Sequence, residues 1–353
     1  MTIYINGRFL TQPMTGVERY AYNICKAMAR IQQPFTIVCP KATIHPDYDA
    51  NDLTVVHYGI GNSHFWEQCV LPFFFLGKKN YILFSFTGLG SILIRHKVMT
   101  IHDLSFLANP SWFSKAYFWW YKLMTPLAVR TSLQIITVSE FSKKEILRYY
   151  PFVKEEFIHV VYNAVYKDKF YPLPEHPAPT ERFALAVSSI DPRKNFYRLV
   201  QAFENIKDCK LYIVGKTNRV FNQCKGMVEE MSNVKYLGRV SDEELLKLYN
   251  QAVCFIFPSL YEGFGLPTLE AMACGCPVLL SDIEVHREVC ANAGVYFNPQ
   301  NVDNIRNTIE QFLKEDDTFR SSLIAKGYEN MKRFSWGNSA QAVINLVRYK
   351  HNI

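Results

Sequence analysis

Residues 254–281 read CFIFPSLYEGFGLPTLEAMACGCPVLLS, and this stretch decides the fold. Its opening, CFIF, is apolar without alternation, the pattern of a strand buried on both faces. A glycine turn follows, then a short helix with Pro267 near its first turn and Gly275 just past its end. The apolar run at 277–281 is a second strand. One strand, one crossover helix and one further strand make the repeating unit of a parallel sheet.

The same alternation runs outward in both directions. Upstream in this half, strands are expected at 183–187, 211–214 and 234–237, and downstream at 295–297. Phe196, Leu199, Val200, Phe203 and Ile206 form one helix face. In the first half, strands are expected at 3–5, 36–39, 54–57, 81–84, 98–101 and 134–138. A helix runs through Tyr20, Ile24, Ala27, Met28 and Ile31. Ser142, with Glu145 three residues on, reads as a capping box opening another helix. The Pro-rich stretch 171–180 separates the halves, so the chain is expected to hold two doubly wound α/β domains, 1–170 and 171–334. Ligands of such sheets bind outside the carboxyl ends of the strands, in a cleft where two domains face each other.

A chain of 353 residues, 49% hydrophobic and 20% charged, has ample material for two cores, which excludes a disordered or collagen-like protein. Nine cysteines without a CxxC pair do not form a disulfide framework. Cys274 and Cys276 read as small buried hydrophobes, and a reducing, cytoplasmic compartment is expected. The opening MTIYINGRFL reads as a strand rather than a secretory signal. No apolar run approaches the ~20 residues that span a bilayer. Residues 1–170 carry 18 Lys and Arg against 11 Asp and Glu, and residues 171–353 carry 21 against 21, so the whole excess of +7 lies in the first half. A basic surface there suits an anionic membrane or an acidic substrate. No nucleic-acid-binding motif accompanies it.

Several residues in this frame suit chemistry. Gly263 and Gly265 allow close backbone approach to a ligand, and the helix start beyond them offers N–H groups to an anion. Glu262 and Glu270 flank that turn. A carboxylate beside an anion site serves phosphate poorly and sugar hydroxyls well. Arg193 and Lys194, in SSIDPRKN, place two cations at another strand-to-helix turn. Thr15-Gly16 opens the first helix of the first half. His102-Asp103 follows the strand VMTI, at a carboxyl edge. No G-x-G-x-x-G, P-loop or G-x-S-x-G motif occurs. Asp47-Tyr48-Asp49 is formally D-x-D but reads as a surface loop, and no grouping has metal-ligand spacing.

The aromatic share of 15% concentrates in part at residues 112–121, WFSKAYFWWY, bracketed by Lys115, Lys122 and Arg130. This stretch either lies in a lipid headgroup layer, with its cations on phosphates, or packs Trp119 and Trp120 into the core.

Taken together, the sequence resembles the family 4 glycosyltransferases, retaining enzymes of the GT-B fold. The motifs that carry the resemblance are TGVERYAYNICKAM, TIHDL, VSEFSKKEI, SSIDPRKNFYRLVQAF and, most specifically, EGFGLPTLEAMACGCPVLLSD with its two glutamates separated by seven residues. It is closest to members acting in lipopolysaccharide, O-antigen or capsule assembly, many of them mannosyltransferases. One departure stands out: Ser188 occupies a position where many members carry Arg.

The resemblance implies an N-terminal acceptor domain, a C-terminal nucleotide-sugar domain, and a helix in 335–353 that crosses back to the first. Glu270 would accept hydrogen bonds from the donor ribose, and Glu262 would contact donor-sugar hydroxyls. Gly263, Phe264, Gly265 and Leu266 would line the donor site, with the amides of Phe264 and Gly265 on the diphosphate. Gly16 would close on that diphosphate, and His102 would face donor sugar and acceptor. The loop of Gly238 and Val240 would flank the nucleobase. Arg193 and Lys194 would stabilise the leaving diphosphate. The implied reaction is retaining transfer from a nucleotide sugar, GDP-mannose favoured, to a glycan acceptor, lipid-linked, at the inner face of the cell membrane, with no metal or other cofactor. The alternatives are another GT-B enzyme, an epimerase or phosphorylase, and a non-catalytic nucleotide-sugar-binding subunit.

Overall fold

The computed structural model of the chain describes residues 1–61, 63–174, 181–189, 191–216, 226, 228 and 231–348. Pro177 and Pro179 of the expected linker, Ile190 of the SSIDPRKN turn and residues 349–353 of the last segment lie outside them.

The chain divides into two compact units, Met1–Asn163 with Ser335–Ile353, and Ala164–Phe334. The first change of unit thus falls at residue 164 where the sequence pattern suggests 171. The short segment between packs with the second unit: Phe170 lies edge-on to Tyr249 with ring centroids 5.9 Å apart, and the amide of Leu173 donates to Asn250 Oδ1 at 2.8 Å.

The first unit holds a seven-stranded sheet, ordered β3-β2-β1-β4-β5-β6-β7. Its strands are β1 Thr2–Asn6, β2 Thr36–Cys39, β3 Val55–His57, β4 Tyr81–Ser85, β5 Lys97–Ile101, β6 Gln134–Thr137 and β7 Ile158–Val160. Every pairing is parallel, so both faces need covering, and β4 and β5 are buried at every position. The helix Gly16–Arg30 follows β1 and buries Tyr20, Ile24, Ala27 and Met28 of the predicted face, whereas Ile31 falls just past the helix end and is exposed. The helix Trp336–Arg348 packs beside it: Trp336 meets Tyr20 edge-on at 5.9 Å, and Ser339 Oγ donates to the Tyr162 carbonyl at 2.7 Å. The expected cap at Ser142 is corrected. The helix is Glu140–Tyr149, capped by Ser139, whose side chain accepts from the Ser142 amide. Ser139 has the extended backbone that a cap requires, whereas Ser142 is already inside the first turn.

The second unit holds six parallel strands, ordered β10-β9-β8-β11-β12-β13. They are β8 Phe183–Val187, β9 Lys210–Val214, β10 Val234–Gly238, β11 Cys254–Phe257, β12 Val278–Ser281 and β13 Gly294–Phe297. Phe196, Leu199, Val200 and Phe203 of the helix Phe196–Phe203 join Leu211, Ile256 and Leu279 in one buried core. Burying each such side chain contributes about 1.5–3 kcal/mol. In both sheets the strand order reverses once, between β1 and β4 and between β8 and β11. A crevice opens at the carboxyl ends of those strand pairs, and ligands of doubly wound sheets bind there.

Candidate functional site

The second sheet's switch point brings together the two segments singled out by sequence. The turn after β8 carries Pro192–Lys194, and the loop after β11 carries Glu262 to Leu266. They are tied by backbone: the Leu260 amide donates to the Arg193 carbonyl at 2.8 Å. Asn195 locks the turn in a left-handed conformation at φ 59°. Its Nδ2 donates to the carbonyls of Pro258 at 3.0 Å and Pro299 at 2.7 Å, so the side chain bridges three loops at this edge. Asn tolerates that conformation better than most residues.

Lys194, which is 8% exposed, donates from Nζ to Glu262 Oε1 at 2.5 Å. Arg193 Nη1 lies 3.7 Å from the other carboxylate oxygen. Burial alone pushes the Glu262 carboxyl up. The Lys194 and Arg193 charges and the Lys194 hydrogen bond overcome that and hold it down at about 2. Burial lowers the Lys194 ammonium from its ordinary value, with Glu262 opposing the shift. The result is a buried carboxylate between two cations, with one net positive charge among the three groups.

Gly265, at φ 94°, precedes the helix Leu266–Ala273. A Cβ there would sit 3.4 Å from both the Phe257 ring and Thr268 Oγ1, so the left-handed turn and close packing both favour glycine. Gly263 and Phe264 are buried and Leu266 half-buried. Phe264 packs edge-on against Phe334 at 5.6 Å. Within the helix Glu270 is buried, and the Tyr249 hydroxyl donates to its Oε2 at 3.3 Å. Val240 lies half-buried just past β10, whose last residue, Gly238, has φ 75°.

Three residues here escaped the sequence reading. Gly215, past the end of β9, has φ 151°, and a Cβ on it would lie 1.7 Å from the Ser188 carbonyl oxygen, which no other residue accommodates. Tyr249 orients Glu270. His286 is fully buried, and burial lowers its imidazole to about 4. Its Nδ1 lies 2.9 Å from the Ser281 carbonyl, and its Nε2 has no hydrogen-bond partner among the described residues. The only sequence signal for His286 is a lone histidine on an apolar helix face.

The remaining predicted residues belong to the first unit. Gly16 is the exposed first residue of its helix, with open space where a side chain would be. His102 follows β5, and its Nε2 lies 2.8 Å from the Phe86 carbonyl. A carbonyl only accepts, so Nε2 carries the proton, and the neutral ring has its acceptor at Nδ1. Burial lowers the His102 pKa, with the Phe86 carbonyl and Asp103 opposing, which keeps the ring neutral near pH 7. Asp103 accepts from the Ser105 amide at 2.9 Å and so starts the next short helix. Asp47 and Asp49 are exposed and serve loop amides, those of Met14 and Asn51. The helix Lys115–Arg130 leaves Trp119 53% and Leu123 62% exposed, with Trp120 also at the surface, so these side chains are not in the core.

Two doubly wound parallel sheets, with a cation pair and two glutamates at the second sheet's switch point, define a glycosyltransferase of the GT-B fold. Residues 14–169 match the model described as Glycosyltransferase Family 4, and residues 173–330 match Glycosyl transferases group 1. The chain is 32% identical over 272 residues to O-antigen chain mannosyltransferase B of Escherichia coli, covering 72% of this chain and 71% of that one. It is 28% identical over 344 residues to O-antigen chain mannosyltransferase RfbU of Salmonella typhimurium, covering 90% and 94%. Among solved structures, sucrose-phosphate synthase from Thermosynechococcus elongatus superposes with a TM-score of 0.79 at 19% identity, covering 99% and 98%. Anabaena HepE in complex with UDP and glucose gives 0.76 at 15%, covering 99% of both chains. The chain belongs to the family 4 glycosyltransferases.

Proposed function

We propose that the enzyme moves mannose from GDP-mannose to a lipid-linked glycan acceptor, with retention, in the assembly of a surface polysaccharide. The observation that carries this reading is the buried group Arg193, Lys194 and Glu262, which offers two cations to a diphosphate and one carboxylate to sugar hydroxyls at a single spot. The choice of mannose rests on the two relatives, both O-antigen chain mannosyltransferases.

In this reading the second unit binds the donor. Glu270, oriented by Tyr249, accepts from the ribose hydroxyls, and the loop of Gly238 and Val240 flanks the base. Amides of Phe264 and Gly265, beside Gly263 and Leu266, meet the diphosphate. As the bond from the anomeric carbon to the diphosphate oxygen breaks, negative charge grows on that oxygen. Lys194 and Arg193 stabilise it in a site from which water is largely excluded. Glu262, ionised at any physiological pH, can only accept, which suits hydroxyl groups of the transferred sugar. The acceptor hydroxyl forms the new bond on the face the diphosphate leaves, and its proton passes to a leaving phosphate oxygen. The products are the glycoside and a nucleoside diphosphate. On the first unit, Gly16 contributes a free amide at a helix start and His102 a neutral imidazole. The transfer is proposed to need no metal.

The basic first half and the exposed Trp119, Trp120 and Leu123, with Lys115 and Lys122 on the same helix, support attachment to an anionic membrane surface on the cytoplasmic side. No helix among the described residues is long and apolar enough to cross a membrane. Thermal-shift measurements with GDP and UDP test the base. Incubation with GDP-mannose and a lipid-linked glycan, in chelator, tests the rest. Release of GDP that requires the acceptor supports the transferase reading. Release without an acceptor, or none at all, favours a phosphorylase-like or epimerase enzyme or a non-catalytic subunit.

A further inference from the structure

One hydrogen bond does not fix an imidazole ring. The bond from His102 Nε2 to the Phe86 carbonyl, 2.8 Å long, lets the ring pivot about the line joining the two atoms. A neutral imidazole can also break such a bond, flip and move its proton to the other nitrogen. His102 is half-buried, so the open side of the ring offers no restraint. The restraint comes from the residues packed on its other sides.

Tyr20, on the helix Gly16–Arg30, is fully buried and lies perpendicular to the His102 ring, at 88° with centroids 5.0 Å apart. It meets the Phe86 ring as well, at 6.3 Å and 75°, so it packs against both partners of the hydrogen bond. Phe86 is fully buried and stacks on Phe84 at 5.5 Å. Ser142 Oγ donates to the His102 carbonyl at 3.2 Å, which holds the backbone. A perpendicular ring pair is a favoured arrangement, and pivoting either ring loses it.

Tyr20 is held in turn by two groups. Its hydroxyl donates to the Val161 carbonyl at 3.3 Å, and burial pushes the phenol up, so that proton stays in place. Trp336, 4% exposed, meets the Tyr20 ring at 5.9 Å and 61°. The helix that Trp336 opens is tied to the same stretch of chain, because Ser339 Oγ donates to the carbonyl of Tyr162, next to Val161.

We infer that Tyr20, backed by Trp336 of the last helix, is a positioning residue for the sugar transfer: it fixes the plane of the His102 ring, so that Nε2 stays on the Phe86 carbonyl and Nδ1 is left to accept from a sugar hydroxyl. The inference rests on the reading of His102 as a group that faces the reacting sugars. Tyr20 and Trp336 act through His102. An acceptor held off its line loses more in the transition state than in donor binding, so kcat is the sensitive quantity.

The test uses the full chain. Nitrogen NMR of the His102 imidazole, assigned by its loss in His102→Gln, is read without substrate, and transfer from GDP-mannose to the lipid-linked acceptor is read at steady state. In the parent, Nε2 should carry the proton. Tyr20→Leu should draw the two nitrogen signals together and lower kcat about tenfold, with the donor KM within about twofold. Tyr20→Phe keeps the ring and should leave spectra and kcat near those of the parent. Trp336→Leu leaves Tyr20 in place and should move the signals the same way with a smaller loss of kcat; it decides alone if Tyr20→Leu does not fold. Unmoved imidazole signals in the leucine variants, a proton on Nδ1 in the parent, or a kcat loss in Tyr20→Phe as large as in Tyr20→Leu overturns the inference. A parent that transfers no sugar refutes the transferase reading, and the spectra still decide whether Tyr20 orients His102.

Discussion

Replacing Lys194 with Met perturbs the proposed donor site most directly, because it removes one charge and keeps nearly the same stem. Glu262 then loses the ammonium at 2.5 Å and retains only the Arg193 guanidinium at 3.7 Å. Removing one partner of a buried ion pair costs about 3–5 kcal/mol, since the other charge stays desolvated. Arg193 offsets part of that, so the lower end applies, about 3 kcal/mol. At about 2–4 °C per kcal/mol for a domain of this size, the transition of the unit Ala164–Phe334 should fall by roughly 6–12 °C. The pH dependence provides a second reading. The Glu262 carboxyl stands at about 2 in the folded chain against an ordinary 4.5. A depressed carboxyl stabilises above its unfolded value, so its contribution of about 3 kcal/mol is complete above pH 4.5 and is lost as pH falls to 2. In Lys194→Met, burial is less opposed, the carboxyl rises, and this acid limb flattens. Adding Glu262→Gln removes the stranded charge and should recover most of the lost stability, while turnover remains lost in both. Calorimetric scans across the acid range check all three statements. A single variant that melts with the parent, or a double variant that melts as low as the single, would refute the claim that this pair is both buried and mutually dependent.

Glu270→Ala should weaken nucleotide binding by about 1.5–3 kcal/mol, the value of hydrogen bonds to a charged group, as measured by calorimetric titration with GDP. Unchanged affinity would remove Glu270 from the ribose. Lys97 is fully buried, and burial lowers its ammonium to about 7 from 10.5, so the unfolded chain binds more protons between those values and stability should rise with pH across that window. Lys97→Met should flatten this slope in denaturant titrations of the first unit. Vesicles containing anionic lipid should carry the protein upward in flotation at low salt and less so at high salt. Lys115→Glu with Lys122→Glu should reduce that, since each cation near the surface contributes about 1 kcal/mol. Protein that stays at the bottom at low salt would refute the membrane reading.

What the sequence reveals follows from what periodicity and topology can encode. Strands such as Thr36–Cys39, Phe183–Val187 and Cys254–Phe257 stand out residue for residue, because a short unbroken apolar run between turns is what a parallel sheet covered on both faces requires. Ile158–Val160 is missed, since three residues with a central histidine at the sheet edge make no pattern. Arg193 with Lys194 and, separately, Glu262 are legible as candidates although 68 positions separate Lys194 from its partner. Each follows a strand, and winding alone makes β8 and β11 neighbours at the switch point, so their loops converge without any side-chain information. Glu67 has no such guide. It reaches Asn6 across 61 positions from a helical segment between β3 and β4, and only the packing of Trp66 and Leu71 into the core brings it there. The same distinction accounts for the aromatic helix. Its composition permits either a core or a surface, and only Thr125, Ala128 and Val129 are buried along it. Phe118, Tyr121 and Met124 pack against the core from that same face, and helical spacing puts Trp119, Trp120 and Leu123 on the opposite one.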